Sequence, residues 1–170
     1  VPLDGVDDYM DSSTTSYTVG SVFAVALYDA TSFPGGGSGY KGLYGGDNGT
    51  DGVYLTGATS STDWYTSQLD SQYLNGVSST TALTNPSAFN LYSGTDSTPA
   101  ILNGQSIGND RNNAGRYWDG DIAEIIVYDE ALSDFDRMGV EVYLDEKWGL
   151  GQNLATTYGV GNYNTDLVGL

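Results

Sequence analysis

Along this chain apolar and polar residues alternate in short runs broken by Gly, Asn and Asp, and a helical period emerges only near the C-terminus. Residues 22–28 (VFAVALY) are continuous and apolar, with large Phe23, Val25 and Leu27 on one face and small Ala24 and Ala26 on the other. That contrast predicts a strand buried on one side and closely covered on the other. Residues 3–10 predict an opening strand with a tight Asp-Gly turn, residues 40–44 are a short segment within a Gly-rich region, and residues 53–57 predict another short strand. Asn75-Gly76 and Asn103-Gly104 each lie between apolar runs, where such a pair predicts a two-residue hairpin. Residues 122–128 are another β-rich run, with Glu124 as the single charge.

The helical period runs from Ser133 to Trp148. Ser133 followed by Asp136 resembles a capping box, and Leu132 is placed to staple the first turn. Gly149 supplies a left-handed stop over which Leu150 can fold back. Val140, Tyr143, Leu144 and Trp148 are expected on the core face, and Phe135, Met138 and Val142 on a second apolar side. Trp148 is assigned to packing. Many strands, one late helix and Gly/Asn turns predict an all-β, antiparallel jelly-roll sandwich with one short C-terminal α-helix.

Composition sets the chemistry. The 170 residues suit one domain, with residues 1–150 as its body and 151–170 as an extension, either a linker or a strand added to this sheet or a neighbour's. Without Cys there is no disulfide or thiolate site, and without His no imidazole acid/base or the usual transition-metal ligand. Five Lys plus Arg against 22 Asp plus Glu give a net charge of −17, which repels nucleic acid and anionic membranes and attracts cations. The acids are 18 Asp to 4 Glu, a bias toward turns and caps. No apolar stretch approaches the ~20 residues of a bilayer span, so membrane insertion is not expected. The start at Val1 without Met reads as a processed product or a fragment. Abundant Gly, Ser, Thr, Asn and Tyr suit a protein outside the cell, on its surface or on a virion.

The order LDGVDDYM, SVFAVALY, YLNGV and IAEIIVYDEALS-to-YLDEKWGL resembles the LamG-like, concanavalin A-type jelly rolls over about residues 3–150. The C-terminal ending carries most of that likeness. The resemblance implies a β-sandwich without a set ligand, since fold does not dictate function.

Three kinds of chemistry suggest themselves. Asp119, Asp121 and Glu124 resemble the Glu-x-Asp-x-x-Glu pattern of concanavalin A-type glucanases, which need two carboxyls ~5–5.5 Å apart. An Asp in the first place shortens the nucleophile's reach, and the family ending explains the acids without catalysis. No enzyme is expected, and Glu124 is assigned as a buried carboxylate near the start of the helix. Calcium takes six to eight oxygens from loops. Asp47, Asn48 and Asp51 are the first choice for it, followed by Asp110, Asn112 and Asn113, and by Asp4, Asp7 and Asp8. Aromatics with loop amides suit sugars, and Trp64, Tyr65, Asn113, Tyr117 and Trp118 are the candidate ligand-binding residues. The expected function is non-catalytic recognition of glycan or glycoprotein surfaces, with calcium as an accessory ion. The alternative is a structural subunit of a virion coat or extracellular filament that assembles with copies of itself.

Overall fold

The computed structural model describes residues 1–12, 15–32, 39–47, 52–58, 61–82 and 88–160, with only the backbone at Val53. Eleven strands come first: β1 (Pro2–Asp4), β2 (Met10–Asp11), β3 (Ser16–Tyr28), β4 (Lys41–Gly45), β5 (Val53–Gly57), β6 (Trp64–Tyr65), β7 (Ser71–Leu74), β8 (Val77–Ser78), β9 (Asn90–Asn103), β10 (Ser106–Ile107) and β11 (Asp119–Tyr128). Two helices follow, α1 (Asp134–Trp148) and α2 (Leu154–Tyr158). The strands form a six-stranded sheet, β1-β11-β3-β9-β7-β8, and a five-stranded sheet, β2-β10-β4-β5-β6. All ladder pairs are antiparallel. This is the expected antiparallel sandwich with a C-terminal helix. No helix among the described residues is long and apolar enough to cross a membrane.

The unequal faces of β3 explain the layering. Val22, Ala24, Ala26 and Tyr28 point between the sheets, into a core with Leu43, Tyr54, Tyr92, Leu102 and Trp118. The small alanines leave room for the rings opposite. Phe23 and Val25 point the other way and pack with Leu91, Val142 and Leu144 beneath α1. A bulge lies between Val19 and Ser21 in the β3–β9 ladder, at Gly20. The connection from β11 to α1 crosses here: Ser21 Oγ donates to Glu130 O at 2.8 Å and accepts from Leu132 N at 2.8 Å. A Cβ on Gly20 would lie 2.3 Å from the Glu130 carbonyl carbon, so this crossing needs glycine.

Helix α1 has the expected caps. Ser133 accepts from Asp136 N at 3.2 Å, and Gly149 sits at φ 61°. Its buried face is different from the expected one. Arg137, Glu141, Val142, Leu144 and Asp145 are buried, whereas Phe135 is 65% and Trp148 42% exposed. Trp148 is therefore not a core residue; its Nε1 donates to Glu124 Oε2 at 2.7 Å at the surface. The charged face goes inward because its groups satisfy one another. Arg137 bonds Glu141 at 2.6 Å, and Asp145 accepts from the backbone of Gln152 and Leu154, both at 3.0 Å.

Two turn expectations part company. Asn75-Gly76, at φ 52° and 78°, joins β7 to β8 as the predicted hairpin. Asn103-Gly104 instead carries the chain from β9 in one sheet to β10 in the other, with Gly104 at φ 110°. The same left-handed freedom serves a corner between sheets as well as a hairpin. Likewise residues 3–10 are not one strand: β1 joins the first sheet and β2 the second, with Gly5 at φ 72° between them. Beyond residue 150 the described chain makes α2, not a strand. Leu154 is buried, and the Tyr158 hydroxyl bonds Gly76 O at 2.9 Å and the Glu141 carboxylate.

Candidate functional site

The loop of residues 108–118, between β10 and β11, lies across β4. Gly108 N donates to Leu43 O and Gly42 N to Arg116 O, both at 3.1 Å, which pins the loop to the strand along its length. Gly42 makes this approach possible, because a Cβ there would lie 2.2 Å from both Asn109 C and Asp110 N. At the loop's tip Asn113 N donates to Asp110 O at 3.0 Å, closing a turn whose central residues, Arg111 and Asn112, are both left-handed at φ 52° and 55°. For a non-glycine residue that conformation costs about 1–2 kcal/mol. It is held by side chains: Asn113 Nδ2 donates to Asp110 O at 2.8 Å and Asn109 Nδ2 to Asn113 O at 3.0 Å.

Asp110 is the anchor. Its side chain is 1% exposed and accepts from Arg111 Nε at 2.8 Å, Arg111 Nη2 at 3.3 Å and Arg116 Nη1 at 2.5 Å. Both guanidiniums remain about one fifth exposed. The hydrogen bond to Asp110 holds Arg111 above its ordinary value. Lys41 Nζ donates to Gly115 O at 3.1 Å, and burial pulls that ammonium below its ordinary value, with Asp119 opposing. Two of the chain's five cations thus lie on one loop of a strongly acidic protein, and a third, Lys41 of β4, bonds to it.

Aromatic rings complete the patch. The Arg116 guanidinium lies 4.9 Å from the Tyr40 ring centroid, and Tyr40 lies 5.0 Å from Tyr65 at 55°. Tyr65 is 43% exposed. The alternation of β6 makes this so, since Trp64 faces inward onto Tyr92 at 4.9 Å and Tyr65 outward. The result is an open surface of tilted rings, guanidinium N–H groups and amides, with a carboxylate beneath.

The predicted ligand-binding residues divide accordingly. Tyr65 lies in the patch, and Asn113 builds the turn that carries Arg111. Tyr117 is half-buried against Tyr9, 5.8 Å between centroids, and bridges Gly42 and Asn109 by backbone. Trp118 is fully buried, with Nε1 donating to Leu27 O at 2.9 Å and its ring edge-on to Tyr28. It is a core residue and cannot stack on a ligand. Trp64 packs on the same core. Sequence reasoning missed Tyr40, Arg111 and Arg116 as ligand-binding residues; the scarcity of cations was the available signal, since two of five fall in this one patch.

The acidic groups also sort themselves. Asp47 is buried, and its expected partners Asn48 and Asp51 lie outside the described residues. Asp110 is committed to two arginines. Asp4, Asp7 and Asp8 bring carboxylate oxygens within 4.8 Å of one another on the surface, in a turn closed by Asp4 Oδ1 and Val6 N at 2.9 Å. They would supply three of the six to eight oxygens calcium takes. Glu124 is not a buried carboxylate near the start of the helix. It is 21% exposed and accepts from Lys147 at 2.9 Å and from Trp148, at the helix's far end. Glu141, which the sequence reading passed over, is the fully buried one. Asp119 stands in a third acidic group, where burial first and then Asp29 raise its carboxyl above its ordinary value, with Lys41 opposing and Asp4 adding. Compared with models of known protein families, with curated proteins and with solved structures, the chain matches none.

Proposed function

We propose that this protein is a non-catalytic recognition module of the LamG-like, concanavalin A type, acting outside the cell and binding a glycan through the Tyr40–Tyr65–Arg111–Arg116 patch. The juxtaposition of exposed Tyr65 with Tyr40 and two Asp110-anchored guanidiniums carries the reading. A sugar's C–H face packs on a tyrosine ring, while its hydroxyls accept from guanidinium and donate to amide or carboxylate oxygens. Asp110 uses two of the five N–H donors of Arg111 and one of those of Arg116, so donors remain for a ligand. The turn that presents Arg111 is held before any ligand arrives, which lowers the ordering cost of binding. Calcium is not required at the patch in this reading, because Asp110 is buried and bonded to both arginines.

A glycan array probed with the purified chain, with calcium and then with EDTA, tests the reading. A defined glycan class is expected to bind in both conditions. Tyr65→Ala should weaken it about tenfold or more, and Phe135→Ala, exposed on α1 over the other sheet, should leave it unchanged. The reading is overturned by an array without hits, or by Tyr65→Ala and Arg111→Ala variants that bind like the parent chain.

A further inference from the structure

The six-stranded sheet has an edge covered over only part of its length. Strand β1 pairs with β11 from Asp119 to Asp121, and Val1 N and O close the ladder at Ile122. Beyond Ile122, among the described residues, β11 is paired through Tyr128 on its β3 side alone. A bulge between Ile122 and Glu124 separates the two halves of that edge. Unpaired N–H and C=O groups on such an edge are a template for another strand.

Beside this edge runs an apolar groove of about 590 Å³. Ile126 and Tyr128 are its floor, and Leu132, Phe135, Val140 and Tyr143 are its wall. Phe135 is 65% exposed there, at a position where the helical period would have buried it. Aromatic residues are enriched at interfaces relative to the rest of a protein's surface. One end of the groove is acidic, with Glu130 and Asp136 in its lining and Asp129 and Asp134 exposed alongside. At the other end Lys147 is neutralised by Glu124. A second copy would bring the same acids and another net charge of −17 to the groove, so charge disfavours self-pairing.

We propose that the outer edge of β11 between Ala123 and Tyr128 is a docking site for an extended segment of a partner protein, with alternating apolar side chains and Lys or Arg at one end. Its backbone pairs with β11, its apolar side chains enter the groove, and its cations lie against Glu130 and Asp136. Backbone pairing supplies affinity and the groove supplies selectivity.

The test uses the whole chain and a synthetic, end-capped peptide of alternating Val and Thr with paired lysines at one end. Binding is read by fluorescence anisotropy and by amide exchange along β11. The peptide is expected to slow exchange within residues 123–128. N-methylation of its alternate amides should abolish binding, since that removes the ladder and keeps the composition. Glu130→Lys should weaken the lysine peptide about fivefold at low salt, and tighten a version with glutamates in their place. The Glu130 side chain is exposed, so this variant keeps the fold. Equal affinity for the N-methylated peptide, protection confined to other strands, or no binding at about millimolar peptide overturns the proposal. So does a concentration-dependent dimer of the unmodified chain that the lysine peptide cannot disperse.

Discussion

Replacing Glu141 with Ala is expected to cost far more stability than replacing Glu124, although Glu124 sits in the more conspicuous strand. The Glu141 carboxylate is fully buried and accepts from Ser93 Oγ at 2.5 Å, from Arg137 Nη1 at 2.6 Å and from the Tyr158 hydroxyl. Its partner Arg137 is 3% exposed and lies 3.7 Å over the Tyr73 ring. Truncating Glu141 leaves a buried guanidinium with only the exposed Asp134 carboxylate, 3.5 Å from its Nε, and leaves Ser93 without that acceptor, a loss of about 3–5 kcal/mol. Against a typical domain stability of about 5–15 kcal/mol, that brings the chain close to unfolding. Glu124→Ala breaks a solvent-screened surface pair whose lysine is 39% exposed, so little stability is at stake, and Trp148 Nε1 returns to water.

Urea denaturation followed by tryptophan fluorescence measures both variants, and an unchanged slope shows that the same surface is exposed on unfolding. A companion variant separates charge burial from lost packing. Arg137→Met with Glu141→Leu removes both charges together and should recover most of the loss. Equal costs for Glu141→Ala and Glu124→Ala, or a cost below about 1 kcal/mol for the former, would refute the assignment of Glu141 as the buried linchpin of the helix.

Other expectations follow from the same geometry. Tyr158→Phe removes the hydroxyl that ties α2 to Gly76 O and Glu141, so amide exchange at residues 154–160 should quicken more than global stability falls. Gly42→Ala should displace the 108–118 loop and abolish ligand binding while the far-ultraviolet circular dichroism stays that of the sandwich, because its Cβ would meet backbone at 2.2 Å. Asp119→Asn should raise the melting temperature at pH 7: a carboxyl raised by burial destabilises the fold while ionised, so the gain shrinks as pH falls through its raised folded value and disappears below the ordinary carboxylate pKa of about 3.9. Asp70→Asn should behave oppositely. Hydrogen bonds from Ser97 hold that carboxyl below its ordinary value, so its contribution is present above the ordinary pKa and lost as pH falls through the folded one.

Local patterns were legible where the physics is local. The large and small faces of residues 22–28 became the helix-facing and sheet-facing sides of β3, and Ser133 and Gly149 capped α1 as their chemistry requires. What escaped depends on partners far along the chain. Phe135 and Trp148 look like core residues by period, yet the inward face of α1 is held by Arg137, Glu141 and Asp145, whose partners Ser93, Tyr158 and Leu154 no helical wheel reveals. Asn103-Gly104 carries the same local signal as Asn75-Gly76, and only the pairing of β10 with β4 decides that it turns a corner. Tyr40 and Arg116 are distant in sequence, so their contact became visible only once the 108–118 loop was laid on β4.

The placement of the five cations bears on where the proposed ligand would bind. Arg137 is spent inside on Glu141, and Lys147 is neutralised by Glu124 at the end of α1. Lys41 is mostly buried and donates to a loop carbonyl. Arg111 and Arg116, each about one fifth exposed, are the two guanidiniums that keep donors for a ligand, and both are oriented by one buried carboxylate. Most of the chain's other charged groups are Asp, which accepts hydrogen bonds and binds water or cations but, ionised, donates to no ligand. A ligand that needs paired guanidinium donors is therefore directed to the Tyr40–Tyr65 patch. A partner that brings its own cations is directed instead to the acidic end of the β11 groove. The two surfaces select opposite chemistries, so the charge reversal Glu130→Lys should alter peptide docking and leave glycan binding untouched.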